Sequence, residues 1–203
     1  MPAMSPLERS FCRSAPWRWF AREVLLPWAL QGEELTGDAL EIGGGSGAMA
    51  AEVLRKNPKV RLTVTDYDAD MVDMARDHLA AFGDRAHAKR ADATRLPFPD
   101  ASFDVVLSFI MLHHVIDWEA ALNEAVRVLR PGGKLIGYDL LATTPMHLLH
   151  QVEGSRHRMM RLDELRETLR RQPVLGQIAK SMGGLTVRFD IEKRPALDGS
   201  GVT

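Results

Sequence analysis

The chain has 203 residues, 45% of them hydrophobic, with 26 basic and 27 acidic side chains and a single cysteine, Cys12. That balance excludes a global field that would draw the molecule onto nucleic acid or a membrane surface, and one cysteine excludes a disulfide framework. No apolar run approaches the roughly 20 residues of a membrane span and no secretory leader is visible, so one cytoplasmic domain over 1–203 is expected.

In chain order, Pro16 to Leu30 reads as an amphipathic helix with Trp17, Phe20, Val24 and Trp28 on one stripe, kinked or split by Pro27. Ala39–Ile42 is a short apolar strand carrying one carboxylate, Glu41, and it runs into Gly43, Gly44, Gly45 and Gly47. A helix over Ser46–Asn57 follows, stopped by Pro58. Val60–Thr65 is β-branched and strand-like. Asp70–Phe82 is a helix with Met71, Met74, Ala75, His78 and Phe82 on its stripe, ended by Gly83. Ala86–Arg90 is a weak strand, Pro97–Ala101 a turn, and Phe103–Leu112 a buried strand. Trp118–Leu129 has the apolar spacing of a helix, and Arg130-Pro131-Gly132-Gly133 stops it before a strand at Lys134–Asp139.

Strands alternating with helices require crossover connections, hence a parallel sheet covered on both faces. Beyond Leu162–Arg171, a helix, the pattern changes. Val174–Ser181 and Leu185–Lys193 read as strands joined at Met182-Gly183-Gly184, too short a link for anything but an antiparallel hairpin. The fold class is α/β, Rossmann-like and doubly wound. Its seven-stranded sheet is mostly parallel and carries a C-terminal antiparallel hairpin. The expected parts are a cap helix at about 5–35, a core at about 36–140, and the last helix and hairpin at about 160–194.

Strand, glycine turn and helix together make a nucleotide cradle: the turn lets backbone approach a ligand, and the helix start aims N–H groups at it. A P-loop is excluded, because Gly47 is followed by Ala48-Met49 rather than by lysine and a hydroxyl. The dinucleotide pattern is formally met by Gly43, Gly45 and Ala48, with Asp66 as the acidic residue some 20 positions on. On that motif alone, NAD is a fair reading. Asp66-Tyr67-Asp68-Ala69-Asp70 opens like a calcium loop, but Met71 and Asp77 stand where glycine and glutamate are needed.

The surroundings extend the motif: Asp66 at a strand end, then Ala91-Asp92-Ala93, then Phe103-Asp104-Val105-Val106, then Leu129-Arg130-Pro131-Gly132-Gly133-Lys134-Leu135. In that order the set resembles the class I S-adenosylmethionine-dependent methyltransferases, and within them the type 11 family with its quinone-biosynthesis members. The resemblance covers about residues 38 to 140. It implies methyl transfer from S-adenosylmethionine to a small, apolar or aromatic acceptor. It places Gly43, Gly45 and Gly47 beneath the methionine part of the cofactor and Glu41 near its ammonium. Asp66 would take the ribose hydroxyls, Tyr67 would lie against the adenine, Asp92 and the Ala93 backbone would meet the purine edge, and Ser108 would approach the methionine end.

His113 and His114 follow the fourth strand at the mouth of that site, where an imidazole suits general-base work. Tyr138 and Asp139 end the fifth strand. His113 and Tyr138 are the catalytic candidates. His147 and His150 have a spacing of three, but no patterned third ligand accompanies them, so no metal is expected. Trp17, Trp19, Phe20, Trp28, Met146, Leu148 and Leu149 would line the acceptor pocket. The expected partner is a small-molecule methyl acceptor, with no nucleic acid and no membrane span. The insert after the fifth strand is short, about twenty residues, which leaves an oligomer partner, as in a homodimer, or a membrane surface to close the site. Two rivals stay open: an NAD-linked oxidoreductase, and a cofactor-binding regulator or scaffold without turnover.

Overall fold

The computed structural model describes residues 19–143 and 157–195. Seven strands make one sheet: β1 (Gly37–Ile42), β2 (Val60–Asp66), β3 (Ala86–Arg90), β4 (Phe103–Phe109), β5 (Leu129–Leu140), β6 (Val174–Ser181) and β7 (Thr186–Lys193). Their order across the sheet is β3-β2-β1-β4-β5-β7-β6. β1 to β5 pair in parallel, while β7 runs antiparallel to β5 and β6 antiparallel to β7. The mostly parallel sheet with a C-terminal hairpin is the expected one.

Helices cover both faces. α1 (Leu26–Leu30), α2 (Ala48–Lys56) and α3 (Ala69–Leu79) share a core with Ala39, Leu62, Val64, Leu107, Ile136 and Tyr138. α4 (Trp118–Val128) and α5 (Leu162–Arg170) pack on the other face against Leu40, Ile42, Val106, Leu135 and Phe189. Adjacent strand residues therefore enter different cores, which explains the near-continuous apolar runs.

Two helix faces and two strand boundaries differ from the sequence reading. The helix before β1 does split near Pro27, into a π-helical turn at Ala21–Leu25 and α1. Proline lacks the N–H that would continue the ladder. The face it buries is Ala21, Leu25, Leu26, Ala29 and Leu30, whereas Val24 is exposed. α3 buries Met71, Val72, Ala75 and Leu79. His78, expected on the buried stripe, points outward and its Nδ1 meets the Ser46 carbonyl at 2.7 Å. β4 ends at Phe109 because Ile110 takes a left-handed φ of 49°, and the chain then coils through a short helical turn at Leu112–His114. β5 begins at Leu129, not Lys134. Arg130-Pro131-Gly132-Gly133 does not break the strand but bulges it, shifting the register between Phe103 and Val105.

Two aspartates start helices as their residue type favours: Asp68 accepts from Asp70 N–H and Asp117 from Ala120 N–H. Arg188 would face the polar side on simple alternation of β7, yet it is 5% exposed. Its guanidinium reaches the Ala29 carbonyl at 3.4 Å and lies 3.8 Å from Asp190, so it ties α1 to the hairpin.

Candidate functional site

The sheet order reverses between β1 and β4, since β2 lies on one side of β1 and β4 on the other. In open α/β sheets that reversal leaves a crevice beyond the C-terminal strand ends. Glu41, the glycine turn, Asp66, Tyr67, Asp92, Ala93 and Ser108 all fall at or just past such ends.

The glycines of the turn do different jobs. A Cβ on Gly43 would strike the Met111 side chain at 2.7 Å, and one on Gly44 would strike Val64 at 2.4 Å. On Gly47 it would meet Ala75 of α3 at 3.1 Å. Those three therefore serve close packing. On Gly45, with φ +54°, a Cβ would meet nothing within 4 Å. Gly45 is the position whose bare backbone faces open space, as a ligand cradle needs. The sequence places Gly44 in the turn without a role and leaves Met111 unassigned; only the packing shows what they do.

The turn is fixed to β2 by Gly45 N–H donating to Asp66 Oδ2 at 2.9 Å, while Asp68 N–H donates to Oδ1 at 2.9 Å. Burial pushes the Asp66 carboxyl above its ordinary range, against the pull of those N–H groups. Each oxygen keeps a further acceptor site for an incoming hydroxyl. Asp92 accepts Thr94 N–H and Oγ1, both on Oδ1, at 2.9 and 2.8 Å. Ala93 beside it is buried. Tyr67 is 36% exposed; its ring lies 5.5 Å from the Arg90 guanidinium, and its carbonyl accepts from Arg90 Nε at 2.9 Å.

Glu41 is 2% exposed and its Oε2 has no hydrogen-bond partner. Burial, aided by the Asp66 charge, pushes its carboxyl up to about 8. Ser108 is fully buried at the end of β4, between Ile42 and Gly137, and its hydroxyl is also unpartnered. An orphaned polar atom inside a protein is costly unless something completes it. Here two orphans stand beside an open glycine turn.

Tyr138 on β5 is 2% exposed, with Trp28 of α1 5.3 Å away edge-on and Phe109 at 5.5 Å. Burial first, then the charges of Glu41 and Asp139, drive its hydroxyl well above the ordinary tyrosine range. Held neutral, its O–H can donate a hydrogen bond but is a poor source of a transferable proton. His113 is 2% exposed, with Nδ1 2.6 Å from Asp139 Oδ1. Asp139, fully buried, also accepts from the N–H groups of Met111, Leu112 and Leu140. Burial alone would raise the Asp139 carboxyl, but His113 and these donors outweigh it and hold it low. The pair pins the Met111–His114 turn against β5, and Met111 in turn packs on Gly43. Of the apolar acceptor-pocket residues, Trp28 and Phe20 are half-buried and Trp19 is 58% exposed. Trp17, Met146, Leu148 and Leu149, with His147 and His150, lie outside the described residues.

The acceptor set suits a nucleoside that carries a cation: two carboxylates for hydroxyl and amino groups, and Glu41, with its Oε2 unpartnered, for a positive charge. Residues 40–137 match a family described as a methyltransferase domain. The 27-O-demethylrifamycin SV methyltransferase of Amycolatopsis mediterranei is 40% identical over 120 residues, 58% of this chain and 44% of that protein. The demethylmenaquinone methyltransferase of Thermus thermophilus is 34% identical over 135 residues, 66% of this chain and 60% of that protein. The chain thus spans less than two thirds of either relative. Among solved structures, the geranyl diphosphate C-methyltransferase of Streptomyces coelicolor, in complex with Mg2+, geranyl diphosphate and S-adenosyl-L-homocysteine, superposes with a TM-score of 0.73 at 10% identity, covering 95% of this chain and 88% of that one.

Proposed function

With residues 40–137 matching a methyltransferase-domain family, we propose that this chain transfers a methyl group from S-adenosylmethionine to a small apolar or aromatic acceptor. The observation that carries the reading is the buried Glu41, its Oε2 unpartnered, beside the open face of Gly45 and the acceptors of Asp66 and Asp92. Those are the complements of an ammonium, a ribose and a purine amino group. No helix among the described residues is long and apolar enough to cross a membrane.

The cofactor supplies a methyl already activated on a sulfonium. What the protein adds is position. Asp66 and Asp92 hold sugar and purine as charged acceptors. Tyr67 covers the purine, the Ala93 backbone borders it, and Ser108 closes the methionine end. Orientation of this kind is worth several kcal/mol, up to ~7–11 in the best cases. Trp28, Phe109 and Tyr138 wall the acceptor side with aromatic surface and keep water out. The Tyr138 hydroxyl donates to the acceptor. His113, turned onto Asp139, positions the Met111 turn instead of abstracting a proton. Those two were the catalytic candidates, and the reading assigns both to holding and orienting.

By their names the relatives methylate 27-O-demethylrifamycin SV and demethylmenaquinone. Both names point to ring-bearing acceptors, which supports an aromatic or quinol-like substrate here. The single cysteine supports the cytoplasm as the working compartment. A homodimer is the association we propose, through the outer hairpin, where Leu175 is 58% exposed on the edge strand β6. The test of function is a screen of quinols, phenols and other small aromatic metabolites, read as S-adenosylhomocysteine release. Turnover on a ring-bearing acceptor is expected; turnover confined to protein or nucleic acid would overturn the substrate class.

A further inference from the structure

Glu41 is buried at 2% exposure with its carboxyl group incompletely partnered. Its Oε2 has no hydrogen-bond partner, and the Thr65 hydroxyl next to it donates to the Glu41 backbone carbonyl instead. Gly44 packs so closely that a Cβ there would stand 3.2 Å from the carboxyl carbon, so the turn itself seals that side. Among the described residues the charged or titratable groups that bear on it are Asp66 from β2 and Tyr138 from β5. One repels an ionised Glu41 and the other is neutral. A lone charge in that setting costs several kcal/mol, which a proton removes.

We propose that the empty protein holds Glu41 as the neutral acid and that cofactor binding is a cation-for-proton exchange. The incoming ammonium takes the place of the proton, which leaves the carboxyl O–H for solvent, and the carboxylate and ammonium then pair. No bond other than that O–H breaks. The step rests on the methyl-donor reading above. It follows that ligands carrying the ammonium bind more tightly as pH rises towards about 8, the value at which Glu41 ionises unaided. A ligand with the same nucleoside but no ammonium gains nothing from that rise.

The test is calorimetric. S-adenosylhomocysteine is titrated into the protein at pH 7 in phosphate and in Tris, buffers whose ionisation heats differ widely. The difference in heat counts protons released. About nine tenths of a proton is expected at pH 7 and about one tenth at pH 9, from the fraction of a group of that strength still protonated. 5′-Methylthioadenosine, which lacks the ammonium, should release none. Glu41→Gln should bind S-adenosylhomocysteine about tenfold or more weakly and with equal heat in both buffers. Its fold is checked by circular dichroism. Equal heats for the unaltered protein, or release that persists in Glu41→Gln, overturn the exchange while leaving the methyl-donor reading intact. No binding heat in any buffer sinks that reading and the exchange with it.

Discussion

The backbone N–H of Gly45 donates to Asp66 Oδ2 at 2.9 Å, tying the turn after β1 to the end of β2. One carboxylate thus sets the shape of the glycine turn and offers its remaining lone pairs to whatever the turn holds. Asp66→Asn keeps the size but loses the charge and one acceptor. Cofactor affinity should fall by roughly ten- to a hundredfold, the worth of about 1–3 kcal/mol of charge-assisted hydrogen bonding. Titration with S-adenosylhomocysteine reads this directly, and unchanged affinity would remove Asp66 from the site.

Two glycine substitutions separate cradle from packing. Gly45→Ala adds a methyl that touches no protein atom within 4 Å, at φ +54°. Only the left-handed backbone resists, at roughly 1–2 kcal/mol. Gly47→Ala carries a similar penalty at φ +77° and also presses on Ala75 at 3.1 Å. Chemical denaturation should find Gly47→Ala the less stable of the two. Ligand titration should find Gly45→Ala the larger loss relative to its effect on stability. The reverse pattern would put the ligand at Gly47.

The Glu41 carboxyl has a folded value of about 8 against an ordinary 4.5. A raised value means that the folded state holds the proton more tightly than the unfolded chain does. The empty protein therefore has its full stability below about pH 4.5 and loses part of it as pH climbs to about 8. Glu41→Gln cannot ionise. Its advantage over the unaltered protein should be near zero at acid pH and grow to a few kcal/mol by pH 9, an upper bound set by the shift at ~1.4 kcal/mol per unit. Urea melts of both at pH 5 and pH 9 check the sign; a constant difference would mean that Glu41 is already ionised at pH 5.

Asp139 is fully buried and accepts from His113 and three backbone N–H groups. In Asp139→Asn an amide replaces one oxygen and turns N–H against N–H. Breaking such a buried pair costs roughly 3–5 kcal/mol. The melting temperature should drop by many degrees, and limited proteolysis should open first at the Met111–His114 turn. A variant as stable as the parent would mean that the pair does not hold that turn.

How much of this was legible in the residues alone follows from where the chemistry is local. The turn after β1 was, because a change of apolar period around four glycines needs no tertiary information. The hairpin was, because three residues cannot cross over a sheet. The start of β5 was not: Pro131 and the two glycines after it read as a stop, and only pairing with β4 converts the stop into a bulge. The buried stripe of α3 was rotated onto His78 because Leu79 and His78 differ by one step, and the Ser46 carbonyl that draws the imidazole outward lies 32 residues away. In the site, the placing of the acidic residues at the strand ends was legible. The solitude of Glu41, the inward turn of His113 onto Asp139 and the burial of Arg188 under α1 all depend on neighbours distant in sequence.

The central claim is that the glycine turn and its carboxylates are shaped for a sulfonium nucleoside and not for a dinucleotide. Thermal denaturation of the unaltered protein with S-adenosylhomocysteine and, separately, with NAD tests it most directly. At a hundredfold excess over its dissociation constant the first should stabilise the fold by ~2.7 kcal/mol, with no shift from NAD. Stabilisation by NAD alone would contradict the account.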